Sequence, residues 1–102
     1  MNHQSNQYVY ILYNEFVPFV YKIGWTSRTP QKRAEEISQG TGVVGTWKVA
    51  HYWFVSDGYW LEQRIFQKFE QYRLPRSEMF HFGGYTVEQI ADQISQFIND
   101  TG

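Results

Sequence analysis

The stretch from Tyr8 to Arg33, YVYILYNEFVPFVYKIGWTSRTPQKR, constrains the fold more than any other. Tyr8 to Tyr13 alternates with period two, which puts Tyr8, Tyr10 and Leu12 on one face and Val9, Ile11 and Tyr13 on the other. Asn14 to Pro18 is a turn region, because Pro18 has no N–H for a strand ladder. Phe19 to Trp25 is a second strand, with Phe19, Tyr21, Ile23 and Trp25 on one face and Val20, Lys22 and Gly24 on the other. So short a connection makes the pair an antiparallel hairpin. Thr29 then caps a helix whose first residue is Pro30, a position where proline's missing N–H costs nothing. This helix is expected to reach Ser38 and to stop at Gly40. At roughly 100° per residue, Pro30, Ala34 and Ile37 make its apolar stripe, with Arg33 beside it and partly turned inward.

The remaining chain supplies what this hairpin and helix pack against. Gly40 to Gly45 is a loop without the lysine of a phosphate-binding P-loop. Thr46 to Val55 is a third strand, apolar on both faces near its end and expected to be the best buried. Its His51 is expected to be a core or rim histidine bonded to its neighbours. Ser56 or Asp57 caps a helix from about Gly58 to Tyr72. Leu61, Ile65, Phe66, Phe69 and Tyr72 form that helix's apolar arc, and Glu62 falls inside it. A carboxylate among core positions is costly unless it is paired, hydrogen-bonded or bound to a metal. An ion pair with Arg33 or Arg64 is one explanation and a functional site is the other. Arg73 to Ser77 is a basic loop, Glu78 to Phe82 a short strand or extended edge, and Gly83-Gly84 a turn. Thr86 and Gln89 form a capping box for a last helix, to about Asn99, with Val87, Ile90, Ala91, Ile94, Phe97 and Ile98 on its core face.

Composition narrows the chemistry. At 102 residues the chain is expected to be one domain, with a core over about 8–82 and the C-terminal helix over about 86–99. The absence of cysteine excludes disulfides, thiolate metal sites and a cysteine nucleophile. His3, His51 and His81 are too scattered for a zinc site. No serine-triad, kinase or dinucleotide-binding motif is present. The polar start, Met1 to Gln7, is expected to fray and shows no signal peptide; with no membrane-length apolar run, a soluble cytoplasmic protein is expected. A net charge of −1 means that binding a polyanion would need a local patch. Two candidate patches exist: Arg28, Lys32 and Arg33, then Arg64, Lys68, Arg73 and Arg76. Each is either an ordinary solvated face or part of a phosphate groove.

Four residues stand out as a potential catalytic set: Tyr10, Lys22, Arg33 and Glu62, with Tyr21 as a further candidate. Tyr10 and Lys22 share a hairpin face, and the other two lie on sheet-facing parts of their helices. Hydroxyl, amine, guanidinium and carboxylate suit phosphodiester hydrolysis, which needs a polarised phosphate, a stabilising cation and a group to orient or deprotonate water.

Tyr8-Val9-Tyr10, then Lys22-Ile23-Gly24-Trp25-Thr26, the helix carrying Arg33, Gly40 to Gly42, Leu61-Glu62 and Glu78-Met79-Phe80 together resemble the GIY-YIG nuclease superfamily. The likeness is greatest to the branch whose second motif reads YKIG, and it covers roughly Tyr8 to Phe82. The resemblance implies an α+β fold, a three-stranded antiparallel sheet flanked by about three helices. It implies a DNA endonuclease with one Mg²⁺ or Mn²⁺ held by Glu62, Arg33 on the scissile phosphate, and Tyr10 positioning or activating water. Lys22 stands where the second motif has tyrosine and would act as a base or bind phosphate. Tyr21, Lys32 and Glu78 are supporting candidates, Lys32 competing with Arg33 for the same alignment. The strand form of the DNA, a specificity partner protein and the oligomeric state stay open. So does a second reading, a non-catalytic nucleic-acid-binding or protein-interaction module on the same fold.

Overall fold

A computed structural model describes residues 7–101. The expectation of a frayed start lies outside the described residues except at Gln7, which instead begins a strand; His3 also lies outside them. The chain forms β1 (Gln7–Asn14), β2 (Val20–Thr26), α1 (Pro30–Ser38), β3 (Trp47–Val55), α2 (Gly58–Lys68), a single 3₁₀ turn (Glu70–Tyr72), β4 (Met79–His81) and α3 (Val87–Thr101). The α+β class is as expected, but the antiparallel sheet has four strands in the order β3-β1-β2-β4, not three. Met79, Phe80 and His81 make the extra strand by pairing with Lys22, Tyr21 and Val20.

The hairpin register explains which side chains share a face. Tyr10 lies opposite Gly24, Ile11 opposite Ile23 and Leu12 opposite Lys22. Val9, Ile11 and Ile23 turn to one side, where α2 and α3 bury them with Leu61, Ile65, Phe66, Phe80 and Ile94. Tyr10 and Leu12 turn to the other, where α1 closes a smaller core with Ala34 and Trp47. The sheet is therefore a middle layer. β1 has a strand on each side and a helix layer on each face, so it is the best-buried strand.

That position was expected for β3, which proves to be an edge strand. Among the described residues its outer side has no strand partner, and Tyr52 and Phe54 are 52% and 63% exposed. A bulge opposite Ile11 and Leu12 explains the apolar residues on both faces. One extra residue reverses the alternation, so Val49 and Trp47 reach the α1 core while Ala50 and Trp53 pack against the other.

The caps follow the sequence. The Thr29 hydroxyl accepts from Lys32 N at 3.2 Å, with Pro30 opening the helix. Asp57 caps α2 by accepting from Trp60 N at 3.1 Å. Thr86 N donates to Gln89 Oε1 and Gln89 N to the Thr86 hydroxyl, so the capping box forms. The second helix is shorter than expected: it ends at Lys68, and Tyr72 belongs to the 3₁₀ turn. Phe69 and Tyr72 still pack against the core, which is why they continued the helical arc in the sequence. Among the described residues, no helix is long and apolar enough to cross a membrane.

Candidate functional site

β4 pairs with β2 only over Val20 to Lys22. Ile23 N still donates to the Glu78 carbonyl at 3.0 Å, but past this point the outer edge of β2 has no strand beside it. A groove of about 430 Å³ opens there, lined by Tyr10, Trp25, Thr26, Ser27, Arg28, Arg33, Tyr59, Glu62 and Glu78. It draws on both sides of the sheet, Arg33 from α1 and Glu62 from α2.

Two glycines make this meeting possible. A Cβ on Gly24 would lie 2.5 Å from the Tyr10 hydroxyl oxygen and 2.8 Å from Cζ. The tyrosine ring thus lies across the bare backbone of β2 and carries its hydroxyl to the groove. A Cβ on Gly58 would lie 3.0 Å from Cβ and Cε3 of Trp25. The first turn of α2 therefore sits directly on β2, and Gly58 N is held by the Gln7 side-chain oxygen. One turn further on, Glu62 faces the groove.

The Arg33 guanidinium and the Tyr10 hydroxyl both line the groove and are close enough to shift each other's pKa. Desolvation raises the Tyr10 pKa, against the lowering contact with Arg33, so the phenol keeps its proton at neutral pH. That contact with Tyr10 raises the Arg33 pKa, against desolvation, and keeps it charged. Guanidinium nitrogens only donate, so any hydrogen bond between the two groups runs from Arg33 to the Tyr10 oxygen. Arg33 also lies 3.4 Å from Glu36, the carboxylate that grips Arg28 through both oxygens. The Arg28 guanidinium lowers the Glu36 pKa, with Arg33 adding to the effect.

Glu62 is the deepest charged group, only 6% exposed. Gln63 Nε2 donates to its Oε1 at 3.0 Å. No ion pair among the described residues includes Glu62, so neither Arg33 nor Arg64 neutralises it. Burial, and then the negative field of Glu78, push its pKa up to about 7. Gln63 and Arg73 pull the other way without offsetting this.

Sequence reasoning named Tyr10, Arg33, Glu62, Glu78 and Arg28, and the structure brings all five to one groove. It did not offer Trp25, Thr26, Ser27 or Tyr59 as site residues, nor Glu36 behind the two arginines. The remaining candidates are elsewhere. The Lys22 ammonium lies 5.7 Å from the Trp47 ring centre, on the α1 side. Tyr21 packs into the opposite core beside Phe82, and Lys32 is exposed on α1. Arg64 lies over Trp60, and Lys68 near both Phe69 and Phe97. Arg73 lies 4.7 Å over Phe66 and donates from Nε to the Ser77 carbonyl at 2.7 Å. Arg76 is exposed, in the left-handed region at φ 53°. The basic loop therefore does not continue the groove. His51 stacks on Trp53 and lines a separate cavity of about 410 Å³. That cavity holds Glu15 and Glu88 with no lysine or arginine, the wrong polarity for a polyanion.

A family model for the T5orf172 domain matches residues 7–99. The chain belongs to the T5orf172 domain family. The match spans every strand and nearly all of α3. It corrects the resemblance to the GIY-YIG nuclease superfamily, because the T5orf172 domain is a different family. The segments behind that resemblance are a few residues long, and this fold accounts for much of them. Gly24 clears the ring of Tyr10, and Gly42 adopts a left-handed turn at φ 80°. No curated protein and no solved structure matches this T5orf172 domain.

Whether the groove suits a metal depends on its donors. Among the described residues, no group of three or more His, Cys, Asp or Glu could hold a metal ion. The pair Glu62 and Glu78 is close enough for one to raise the pKa of the other. Two carboxylates and no nitrogen or sulfur ligand fit a hard cation such as Mg²⁺, which keeps several waters and takes one or two protein carboxylates.

Proposed function

We propose that this T5orf172 domain acts on nucleic acid as a DNA endonuclease that hydrolyses phosphodiester bonds with one divalent cation, Mg²⁺ or Mn²⁺. The observation that carries the reading is Glu62, a buried carboxylate with no ion pair among the described residues, facing a groove that also holds Arg33 and Tyr10. Such a group is costly in the fold alone and is stabilised by an added cation.

In this reading Glu62, with Glu78 beside it, holds the cation, and the cation when bound polarises the phosphate and acidifies a water. Arg33 is the donor for a phosphate oxygen, charged throughout and held on its other side by Glu36. Tyr10 stays protonated, so its O–H donates to a phosphate oxygen or orients the attacking water; it does not serve as the base. Arg28, held by Glu36 at the groove wall, adds positive potential for the incoming strand.

The test is incubation of the pure chain with single-stranded, duplex and branched DNA, with Mg²⁺ or Mn²⁺ and with EDTA. Metal-dependent cleavage abolished by Glu62→Gln and by Arg33→Ala is expected. Failure to cut any of these substrates would remove the reading. A second reading, binding without catalysis, draws on the partial neutralisation of Arg28 and Arg33 by Glu36 and on the position of Lys22 outside the groove. It predicts salt-dependent DNA affinity that is the same with and without metal.

A further inference from the structure

Among the described residues, α1 covers only half of its face of the sheet. Where α1 lies, Leu12, Trp47 and Val49 are packed beneath it. Beyond Tyr10 the same face continues through Tyr8, Tyr52 and Phe54, because Tyr8 pairs with Phe54 and Tyr10 with Tyr52 across β1 and β3. The Tyr8 ring centre is 5.9 Å from that of Tyr52 at an angle of 71°, and 5.3 Å from that of Phe54 at 59°. Tyr8 thus stands tilted between two rings that are more than half exposed.

This patch joins the groove. On its other side Tyr8 pairs with Thr26, a groove residue whose hydroxyl accepts from Arg28 N at 3.2 Å. Aromatic ring faces are therefore set beside a groove wall carrying Arg28 and Arg33, two guanidinium groups that share the one carboxylate of Glu36. A ligand that complements both carries flat rings on an anionic backbone. Tyr52 and Phe54 are two residues apart on a strand, or about 7 Å. Bases stacked in a duplex are about 3.4 Å apart on each strand. The spacing suits bases drawn apart on an extended strand, whose ring faces are free to stack on side chains.

We propose that Tyr52 and Phe54, steadied by Tyr8, form a base-stacking platform for an unpaired DNA strand whose phosphates continue into the groove. The inference takes its nucleic-acid partner from the function proposed above and specifies the substrate class: DNA with single-stranded stretches. The rings bind DNA and take no part in the bond cleavage.

The experiment measures binding by fluorescence anisotropy, in EDTA and low salt, with the full chain carrying Glu62→Gln. The probes are a labelled oligothymidine, a fully abasic strand of the same length and charge, and a blunt duplex. Phe54→Leu and Tyr52→Leu are added singly; both keep an apolar side chain at an exposed site but remove the ring face. The oligothymidine is expected to bind more tightly than the abasic strand and the duplex. Each leucine variant is expected to weaken oligothymidine binding by roughly 5- to 150-fold and to leave abasic binding unchanged. Equal affinity for thymidine and abasic strands, or no effect of either variant, overturns the platform. So does a self-associated chain, seen by sedimentation, that becomes monomeric on Phe54→Leu and has no base-dependent affinity. Cleavage assays with Glu62 intact separate the two readings. Base-dependent binding without cleavage keeps the platform and removes the nuclease, whereas cleavage indifferent to both variants and to strandedness does the reverse.

Discussion

Tyr10 and Gly24 face each other across β1 and β2, and the ring of one occupies the space where a side chain of the other would be. Tyr10 is almost wholly buried yet brings its hydroxyl to the groove. It does so by lying over the single residue of β2 that has nothing in the way. The glycine is therefore part of the site's geometry, although it offers no chemical group.

Gly24→Ala is expected to displace the ring, since its new Cβ would fall 2.5 Å from the hydroxyl oxygen. Overpacking of this kind costs roughly 1–3 kcal/mol. A shift of about 1 Å in a positioned group is enough for a loss on the order of 100-fold in cleavage rate. Tyr10→Ala costs stability by itself because the ring is buried, but in that background Gly24→Ala should add little further loss of stability or rate. Thermal melting and cleavage rates of the two single variants and the double variant check this, and additive stability effects would refute the contact.

Glu62 makes stability depend on pH. Its folded pKa of about 7 lies above the ordinary carboxyl value of 4.5, so the folded chain binds the proton more tightly than the unfolded chain. The group's contribution is fully present below about pH 4.5 and falls as pH rises towards 7. The loss reaches about 3 kcal/mol at alkaline pH. In EDTA, denaturant midpoints are expected to fall between pH 5 and pH 8, and Glu62→Gln should flatten that fall and raise the midpoint at pH 8. A variant that keeps the full pH dependence would show that another group causes it.

The same penalty predicts a response to divalent cations. At pH 8 Glu62 is ionised beside Glu78, and an ion bound to the folded chain alone raises stability by RT ln(1 + [L]/Kd). Mn²⁺ at one hundred times its dissociation constant would add about 2.7 kcal/mol. Melting temperature is expected to rise with Mn²⁺ for the natural chain and not for Glu62→Gln. An equal rise in both would place the ion elsewhere.

Much of this architecture was legible because short-range rules fix it. The Thr29-Pro30 start of α1, the Thr86–Gln89 box and the hairpin alternation each depend on neighbours within a few residues. Glu62 was conspicuous because a carboxylate interrupted an apolar arc, and it is buried as that pattern requires. The misreadings concern partners distant in sequence. β3 carries enough apolar residues for a central strand, but strand order makes it an edge, and the bulge opposite Ile11 and Leu12 hides its true alternation. Lys22 has the right face, yet its pairing opposite Leu12 puts it over Trp47 and outside the groove. Short motifs likewise suggested one nuclease superfamily where the whole-length pattern identifies the T5orf172 domain.

Arg73 illustrates how a basic residue in a basic loop can be committed to the fold. Its guanidinium lies over Phe66, and Nε donates to the Ser77 carbonyl, closing the loop that leads to Glu78 and β4. Loss of the ring contact and the hydrogen bond is expected to cost roughly 1–3 kcal/mol in Arg73→Ala. Arg73→Lys retains the charge but not the planar fork, so it should recover little of that loss. A phosphate ligand would behave differently: Lys would restore much of the DNA affinity, and Ala would reduce the salt dependence of binding by about one ion. Chemical denaturation and salt-titrated binding of both variants distinguish these roles. Unchanged stability in Arg73→Ala, together with a shallower salt dependence, would return Arg73 to the nucleic-acid interface.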